Sequence, residues 1–230
     1  MTAERLQPVQ PSIQAGKPYK GMAMEGMIAR WYAKNTQQGR EFESLSSRIS
    51  QMLPEGSRIL EVAPGPGYLS IRLAQTGRYT VVGLDISKTF VEIAQSKARE
   101  AGVSVDFQQG NASGMPFADN KFDFIVCCAA FKNFSEPVQA IREMERVLKP
   151  GGQALINDLR KDASLAAIDA EISGMNMNWI NRLFTKLTFR SILLKNAYTP
   201  AQMRQFVAQT KFGNCEIQDA GIGMEIWLRK

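Results

Sequence analysis

Short apolar runs and amphipathic stretches alternate along most of this chain. After a polar, proline-bearing start, "MAMEGMIARWYAKNTQQGREFESLSSRISQML" reads as helical segments from Met22 to Leu53, broken over Asn35 to Gly39 and ended by "PEG". "RILEVA" then forms a continuous apolar run of strand length, and a helical pattern starts at Tyr68. The same change repeats through "YTVVGLD", a helix from Lys88 to Ala101, "VSVDFQQG", "FDFIVCCAA", a helix from Glu136 to Leu148, the turn "KPGG" and "QALINDL". Strand and helix in regular alternation predict parallel pairing with crossover helices, an open sheet covered on both faces.

After Arg160 the alternation stops for about 35 residues, through "NWINRLFTKLTFRSILLKNAY", which reads as helical. It resumes with a helix opened by Thr199 and Pro200, an N-cap and first-turn pair. "CEIQDAG" and "GMEIWLRK" close the sequence as two strands around a glycine-bearing turn, a hairpin expected at the sheet edge. No repeat interrupts this order, and no apolar run approaches the roughly 20 residues that span a bilayer.

The first strand-to-helix turn, "EVAPGPGYLS", carries Gly65 and Gly67 where a backbone approaches a ligand without a Cβ between them. Dinucleotides and S-adenosylmethionine both fit such a turn, and Ser70 stands where the dinucleotide pattern has its third glycine. A pyrophosphate wants converging backbone N–H donors, yet Pro64 and Pro66 remove two of them. S-adenosylmethionine has no phosphate but carries an ammonium and a sulfonium, which suits nearby carboxylates, and Glu61 ends the first strand. Asp85 ends the second, where its oxygens can accept from ribose hydroxyls; that acid serves a nicotinamide dinucleotide equally well.

The formal charge of +6 suits an anionic partner, although a solvated basic surface is the plainer reading. Three cysteines, Cys127, Cys128 and Cys215, give an odd count with two neighbours, which speaks against a disulfide framework and lacks the ligands of a tetrahedral metal site. No signal-peptide pattern opens the sequence, and the expected location is cytoplasmic. Histidine is absent altogether, which excludes the usual general base and every Ser-His or Cys-His arrangement.

"EVAPGPG", "GLDIS", "GNASGMPF", "FDFIVC" and "EMERVLKPGG", in this order and spacing, resemble the class I S-adenosylmethionine-dependent methyltransferases, small-molecule branch, similar to the ubiquinone and menaquinone methyltransferases. The resemblance covers about Gly56 to Asp158. It implies an α/β, Rossmann-like sheet of seven mostly parallel strands with helices on both faces and an antiparallel C-terminal edge hairpin. The expected organisation is a flexible tail over 1–20, then one domain over 21–230. That domain divides into a helical cap to residue 55, a cofactor-binding core over 56–160, a helical insert or lid over 161–198, and a final helix with edge strands over 199–230. Carried over by position, Glu61, Ala63, Gly65 and Gly67 surround the methionine part of S-adenosylmethionine, Asp85 and Ile86 hold the ribose and one adenine face, and Asn111 and Ala112 meet the adenine edge. Relatives usually have aspartate at Asn111; an amide still accepts from the adenine amino group. Tyr32, in "WYAKN", stands where relatives bring a tyrosine over the cofactor, and Cys128, at the end of the fourth strand, joins the expected cofactor contacts.

Methyl transfer from a sulfonium is an in-line displacement that needs alignment more than acid–base help. Tyr32, Lys132, Asn133 and Asp158 are the candidates to orient or deprotonate an acceptor. Lys132 and Asn133 fall where many relatives have two histidines, and Asp158 is expected at the rim or in a salt bridge with Arg160 or Lys161. Met22, Met24 and Met27 with Met175 and Met177 are candidates for an adaptable apolar mouth, core filling being the plainer reading. Trp179 to Lys195 has a basic amphipathic pattern without acids, read as a lid over the acceptor in preference to a membrane-surface helix. The expected partner is a small, hydrophobic or aromatic methyl acceptor. Against a nucleic-acid methyltransferase stands the lack of an Asn/Asp-Pro-Pro-aromatic signature after strand four. The prolines and the missing Tyr-x-x-x-Lys pair disfavour an NAD-dependent oxidoreductase, and the intact glycine turn disfavours a non-catalytic scaffold.

Overall fold

The computed structural model describes residues 19–20, 24–35, 40–174 and 194–230. Two helices, α1 (Gly26–Asn35) and α2 (Arg40–Met52), precede the alternating core. That core runs β1 (Arg58–Val62), α3 (Tyr68–Gln75), β2 (Thr80–Asp85), α4 (Lys88–Glu100), β3 (Asp106–Gln109), β4 (Phe122–Cys128), a 3₁₀ turn over Phe131–Asn133, α5 (Pro137–Val147) and β5 (Leu148–Leu159). Helix α6 (Leu165–Gly174) follows, then α7 (Pro200–Ala208), β6 (Glu216–Ala220) and β7 (Gly223–Arg229). The seven strands form one sheet in the order β3-β2-β1-β4-β5-β7-β6, with β1 to β5 parallel and the last two antiparallel, as the alternation and the terminal hairpin predict.

Alternate residues of each strand feed two cores. Leu60, Val62, Ile125 and Cys127 pack with Ala140, Ile141, Met144 and Val147 of α5 and Met203 and Val207 of α7. Ile59, Phe124 and Val126 face the other way, against Leu45 and Ile49 of α2 and Leu69 and Leu73 of α3. The buried α5 residues fall at helical spacing, so the stripe visible in sequence is the face that covers the sheet. Helix α7 opens with a full capping box: Thr199 accepts from Gln202 N while the Gln202 side chain accepts from Thr199 N. Arg48 of α2 donates through both terminal nitrogens to Glu225 at 2.7 Å each, which ties the cap to central strand β7.

Two local readings change. "KPGG" is not a free turn before a strand: β5 runs through it, with Gly151 at φ +79° and a register shift between Phe122 and Phe124, because the segment is absorbed as an irregularity in the β4 pairing. Gly67 carries a packing role beside the ligand approach expected of it. A Cβ there would lie 2.7 Å from Phe107 Cζ and 2.9 Å from Ala94 Cβ, and a Cβ on Gly83 would lie 2.5 Å from the same ring. The Phe107 ring thus fills the space that two glycines on α3 and β2 leave open.

The helical pattern from Trp179 to Leu187, with Met22, Met175, Met177, Arg182, Lys186 and Arg190, lies outside the described residues. Among the described residues no helix is long and apolar enough to cross a membrane.

The shared Phe107 slot gives a test of the packing. Gly83→Ala should lower the unfolding free energy by about 1–3 kcal/mol, the range for overpacking a filled core. Urea denaturation measures it, and a loss under about 0.5 kcal/mol, the scale of a neutral surface change, would mean that the ring repacks freely.

Candidate cofactor cleft

The carboxyl ends of β1 and β4 lie side by side, and their following connections leave in opposite directions, the switch point at which open α/β sheets bind ligands. Both strands end on an alanine in the left-handed region, Ala63 at φ 57° and Ala129 at φ 55°. Each is held there by its amide: Ala63 N donates to Leu84 O at 2.8 Å and Ala129 N to Asn157 O at 2.8 Å. Non-glycine residues adopt this conformation at a cost, and paired outliers at one sheet edge mark a functional site.

Beyond Ala63 the chain turns through Gly65 at φ +55° and into α3. An added Cβ on Gly65 would meet nothing within 4 Å, so this position, unlike Gly67, borders open space. Gly67 N closes the turn on Pro64 O at 3.0 Å, while the amides of Gly65 and Ser70 go to acids. Gly65 N donates to Asp85 Oδ2 at 2.9 Å, and Ser70 gives its backbone N, at 2.9 Å, and its hydroxyl to Glu61 Oε2. Ser87 N, at the start of α4, completes the set with a 2.9 Å bond to Asp85 Oδ1. With Pro64 and Pro66 lacking N–H groups, this turn is built around carboxylates rather than around a phosphate.

Glu61 and Asp85 are both buried, and no described residue forms an ion pair with either. Burial pushes the Glu61 carboxyl up from 4.5 to about 7, the Ser70 bonds opposing it and the Asp85 charge adding to it. Burial likewise raises Asp85, against the pull of the Ser87 and Gly65 amides. No described residue donates to Glu61 Oε1.

The far bank of the cleft comes from β3 and the loop after it. Asn111 and Ala112 lie there, with Asn111 Oδ1 accepting from Ser113 N at 2.9 Å and its Nδ2 donating to no described residue. The amide oxygen expected to accept from adenine thus has one lone pair engaged and a second still available. A clamp on α5 fixes this loop: Glu143 accepts from Met115 N at 2.7 Å, while Arg146 donates to Met115 O, Phe117 O and Glu143. Ile86 is half-buried beside Asp85. Cys128 is half-buried against the α2–α3 core, and burial holds its thiol well above the usual range.

Lys132 and Asp158 differ most from their sequence-based reading. Lys132 is buried, not solvated, and its Nζ donates to Asp158 Oδ1 at 2.8 Å and to Ala129 O. Asp158 Oδ2 accepts from Lys132 N at 2.9 Å, and Oδ1 also accepts from Leu159 N at 2.8 Å. Asp158 thus pairs across the β4–β5 edge and not with Arg160, which binds Asp162 and Asp219, nor with Lys161. The pair locks the Ala129 corner. Asn133 is half-buried in the following 3₁₀ turn, its carbonyl accepting from Lys20 N at 2.7 Å.

Tyr32 sets its ring edge against Phe90 of α4, with centroids 5.9 Å apart. Tyr19 was invisible to sequence reasoning, falling at the end of a stretch read as a tail. It forms a β-bridge with Phe134, and its hydroxyl is pushed up by burial and by the charges of Asp85, Tyr32 and Asp158. No local signal marks it, because its neighbours come from three distant parts of the chain.

A family model described as a methyltransferase domain matches residues 60–156. The chain is 40% identical over 102 residues to the uncharacterized methyltransferase YcgJ of Bacillus subtilis, covering 44% of this chain and 40% of that one. It is 35% identical over 113 residues to the ubiquinone/menaquinone biosynthesis C-methyltransferase UbiE of Haemophilus ducreyi, covering 46% and 43%. The matches thus span less than half the length of these relatives. A crystal structure of an S-adenosylmethionine-dependent methyltransferase from Aquifex aeolicus shares the fold, with a TM-score of 0.60 at 17% identity over 82% of this chain and 96% of that one. Residues 60–156 are thus similar in sequence to methyltransferase domains, the UbiE enzymes among them, and the chain shares its fold with S-adenosylmethionine-dependent methyltransferases.

Proposed function

We propose that this protein transfers the methyl group of S-adenosylmethionine to a small hydrophobic or aromatic acceptor. One observation carries the reading: two buried carboxyls without a cationic partner among the described residues, Glu61 and Asp85, flank a glycine turn that opens onto free space. Such a pair is stabilised by a ligand that brings positive charge and hydroxyl donors, and S-adenosylmethionine brings both.

In this reading Glu61 Oε1 takes the ammonium, while Asp85 uses the remaining lone pairs of its oxygens for the ribose hydroxyls. Ile86 offers apolar surface to the adenine, and Asn111 Nδ2 with Ala112 meets its edge. Ala63 and Gly65 let the backbone come close to the methionine part, and Tyr32 and Tyr19 close the cleft from the N-terminal side. S-adenosylmethionine, when bound, supplies a methyl on a sulfur that leaves neutral, so the displacement needs no acid. With no histidine in the chain and Lys132 paired to Asp158, the residues here align the acceptor and exclude water, and the acceptor's own ionisation sets the pH profile. Support for a small acceptor comes from the likeness to the UbiE enzymes, whose name gives quinone biosynthesis as their own role.

Calorimetric titration with S-adenosylmethionine, followed by a screen of acceptors with a labelled methyl donor, tests this assignment. Asp85→Ala should weaken cofactor binding by about 1.5–3 kcal/mol, the worth of hydrogen bonds to a charged group, in a folded protein. Unchanged affinity removes Asp85 from the site.

Glu61 adds a pH signature. Only the ionised carboxylate attracts an ammonium, so wild-type affinity should rise with pH toward the value of about 7 and level off above it. The folded value lies above the unfolded 4.5, so the stability this group contributes is complete below about pH 4.5 and is lost as pH rises through about 7. Glu61→Gln keeps an acceptor for Ser70 and removes the titration. Above pH 7 it should unfold at higher temperature than wild type, a gain on the order of 3 kcal/mol, while binding the cofactor weakly and with no pH trend. A variant that binds as well as wild type would detach Glu61 from the cofactor.

Lys132→Met leaves Asp158 as an unpaired buried charge and should cost about 3–5 kcal/mol in unfolding free energy, most of it recovered in Lys132→Met/Asp158→Leu. A thousandfold loss of turnover in a Lys132 variant of full stability, restored by raising pH, would make this lysine a base instead.

A further inference from the structure

Helix α1 has two faces of opposite kind. Ala29 and Ala33 are buried, and the Tyr32 ring packs on Phe90. The opposite arc turns Met27, Ile28 and Trp31 to solvent, exposed by 86%, 41% and 67%. Of the five large apolar side chains that stand exposed among the described residues, three are here, within five consecutive positions. Arg30 and Lys34, both exposed, border them on one side, and Gly26–Asn35 contains no acid. The nearest acid in sequence, Glu25, is engaged elsewhere: its carboxylate accepts from Lys88 N at 2.9 Å, Thr89 N at 3.2 Å and the Thr89 hydroxyl at 2.6 Å.

This face belongs to an anchored helix. Gly26 N donates to Thr89 Oγ1 at 3.0 Å, the Ser87 hydroxyl to Met24 O at 2.6 Å, and the Tyr68 hydroxyl to Ala33 O at 2.7 Å. Three bonds with α3 and the start of α4 therefore fix the orientation of the helix, with the apolar arc on its outer side.

We propose that α1 docks this protein onto an anionic lipid surface. Charge selects that occupant. A second copy meeting this face across a two-fold axis would bring Arg30 and Lys34 against their own counterparts. The stretch from Trp179 to Lys195 would do the same, since its charged residues are Arg182, Lys186, Arg190 and Lys195, with no acid. A lipid surface answers both halves of the arc: Met27, Ile28 and Trp31 enter the boundary between headgroups and acyl chains, and Arg30 and Lys34 reach the phosphates. The net charge of +6 adds long-range attraction to the same surface. The inference uses none of the residues assigned to the cofactor and stands apart from the proposed transfer reaction.

Cosedimentation with phosphatidylcholine vesicles, with and without phosphatidylglycerol, tests it on the full chain. Binding is expected to the anionic vesicles only and to weaken with salt. Met27→Ser/Trp31→Ser should reduce it at least tenfold, and Arg30→Gln/Lys34→Gln by about thirtyfold, the effect of two basic residues near such a surface. In a Trp179→Phe protein, anionic vesicles should shift the Trp31 emission to the blue. Circular dichroism confirms that each variant is folded. Three results overturn the proposal: no sedimentation with anionic vesicles; sedimentation that survives the α1 changes and is lost in Arg182→Gln/Lys186→Gln/Arg190→Gln; or, without lipid, a wild-type dimer that Met27→Ser/Trp31→Ser converts to monomer in sedimentation velocity.

Discussion

The burial of Glu61 and Asp85 at neighbouring strand ends is the constraint from which the rest of the cleft follows. Each carboxylate would lose several kcal/mol of hydration if left bare, so each collects donors from the nearest backbone. Glu61 takes Ser70, in the first turn of α3, and Asp85 takes Gly65 and Ser87, the turn and the cap of α4. The entry angles of two crossover helices and the shape of the glycine turn are thereby fixed by two side chains. The compensation is incomplete, which is why both groups hold their protons more tightly than in water. A buried acid pair that lacks a cationic partner among the described residues costs stability, which a ligand bringing positive charge would restore.

The β4–β5 side of the switch point solves the same problem in the opposite way. Asp158 is as deeply buried, but Lys132 reaches it and the pair is closed by Leu159 N and Ala129 O. The two banks of the switch point thus differ, with acids that lack a cationic partner among the described residues at β1 and β2 and an ion pair at β4 and β5.

Glycines give a compact example of how one residue type serves two purposes. Gly65 and Gly67 are two positions apart and look alike in sequence, yet one borders open space and the other packs on Phe107. The ring that decides the difference is forty residues downstream and also covers Gly83, three residues from the start of β2.

Periodicity is a local property, and what depended on it was legible before any coordinates: the alternation of strands and helices, the parallel core, the terminal hairpin, the Thr199–Pro200 helix start and the glycine turn with its two acids. The deletion of donors by Pro64 and Pro66 is equally local, and it points away from a phosphate, as does the engagement of the Gly65 and Ser70 amides by carboxylates. Tertiary structure alone decided which partner each charge chose, because Lys132 and Asp158 meet only when β4 and β5 lie side by side. It alone brought Tyr19 among Asp85, Tyr32 and Asp158, and turned the Met27–Trp31 arc of α1 outward where periodicity could show only that the helix has two faces. Spacing along a chain specifies which side chains share a face; what that face meets is settled by packing between segments that the sequence keeps far apart.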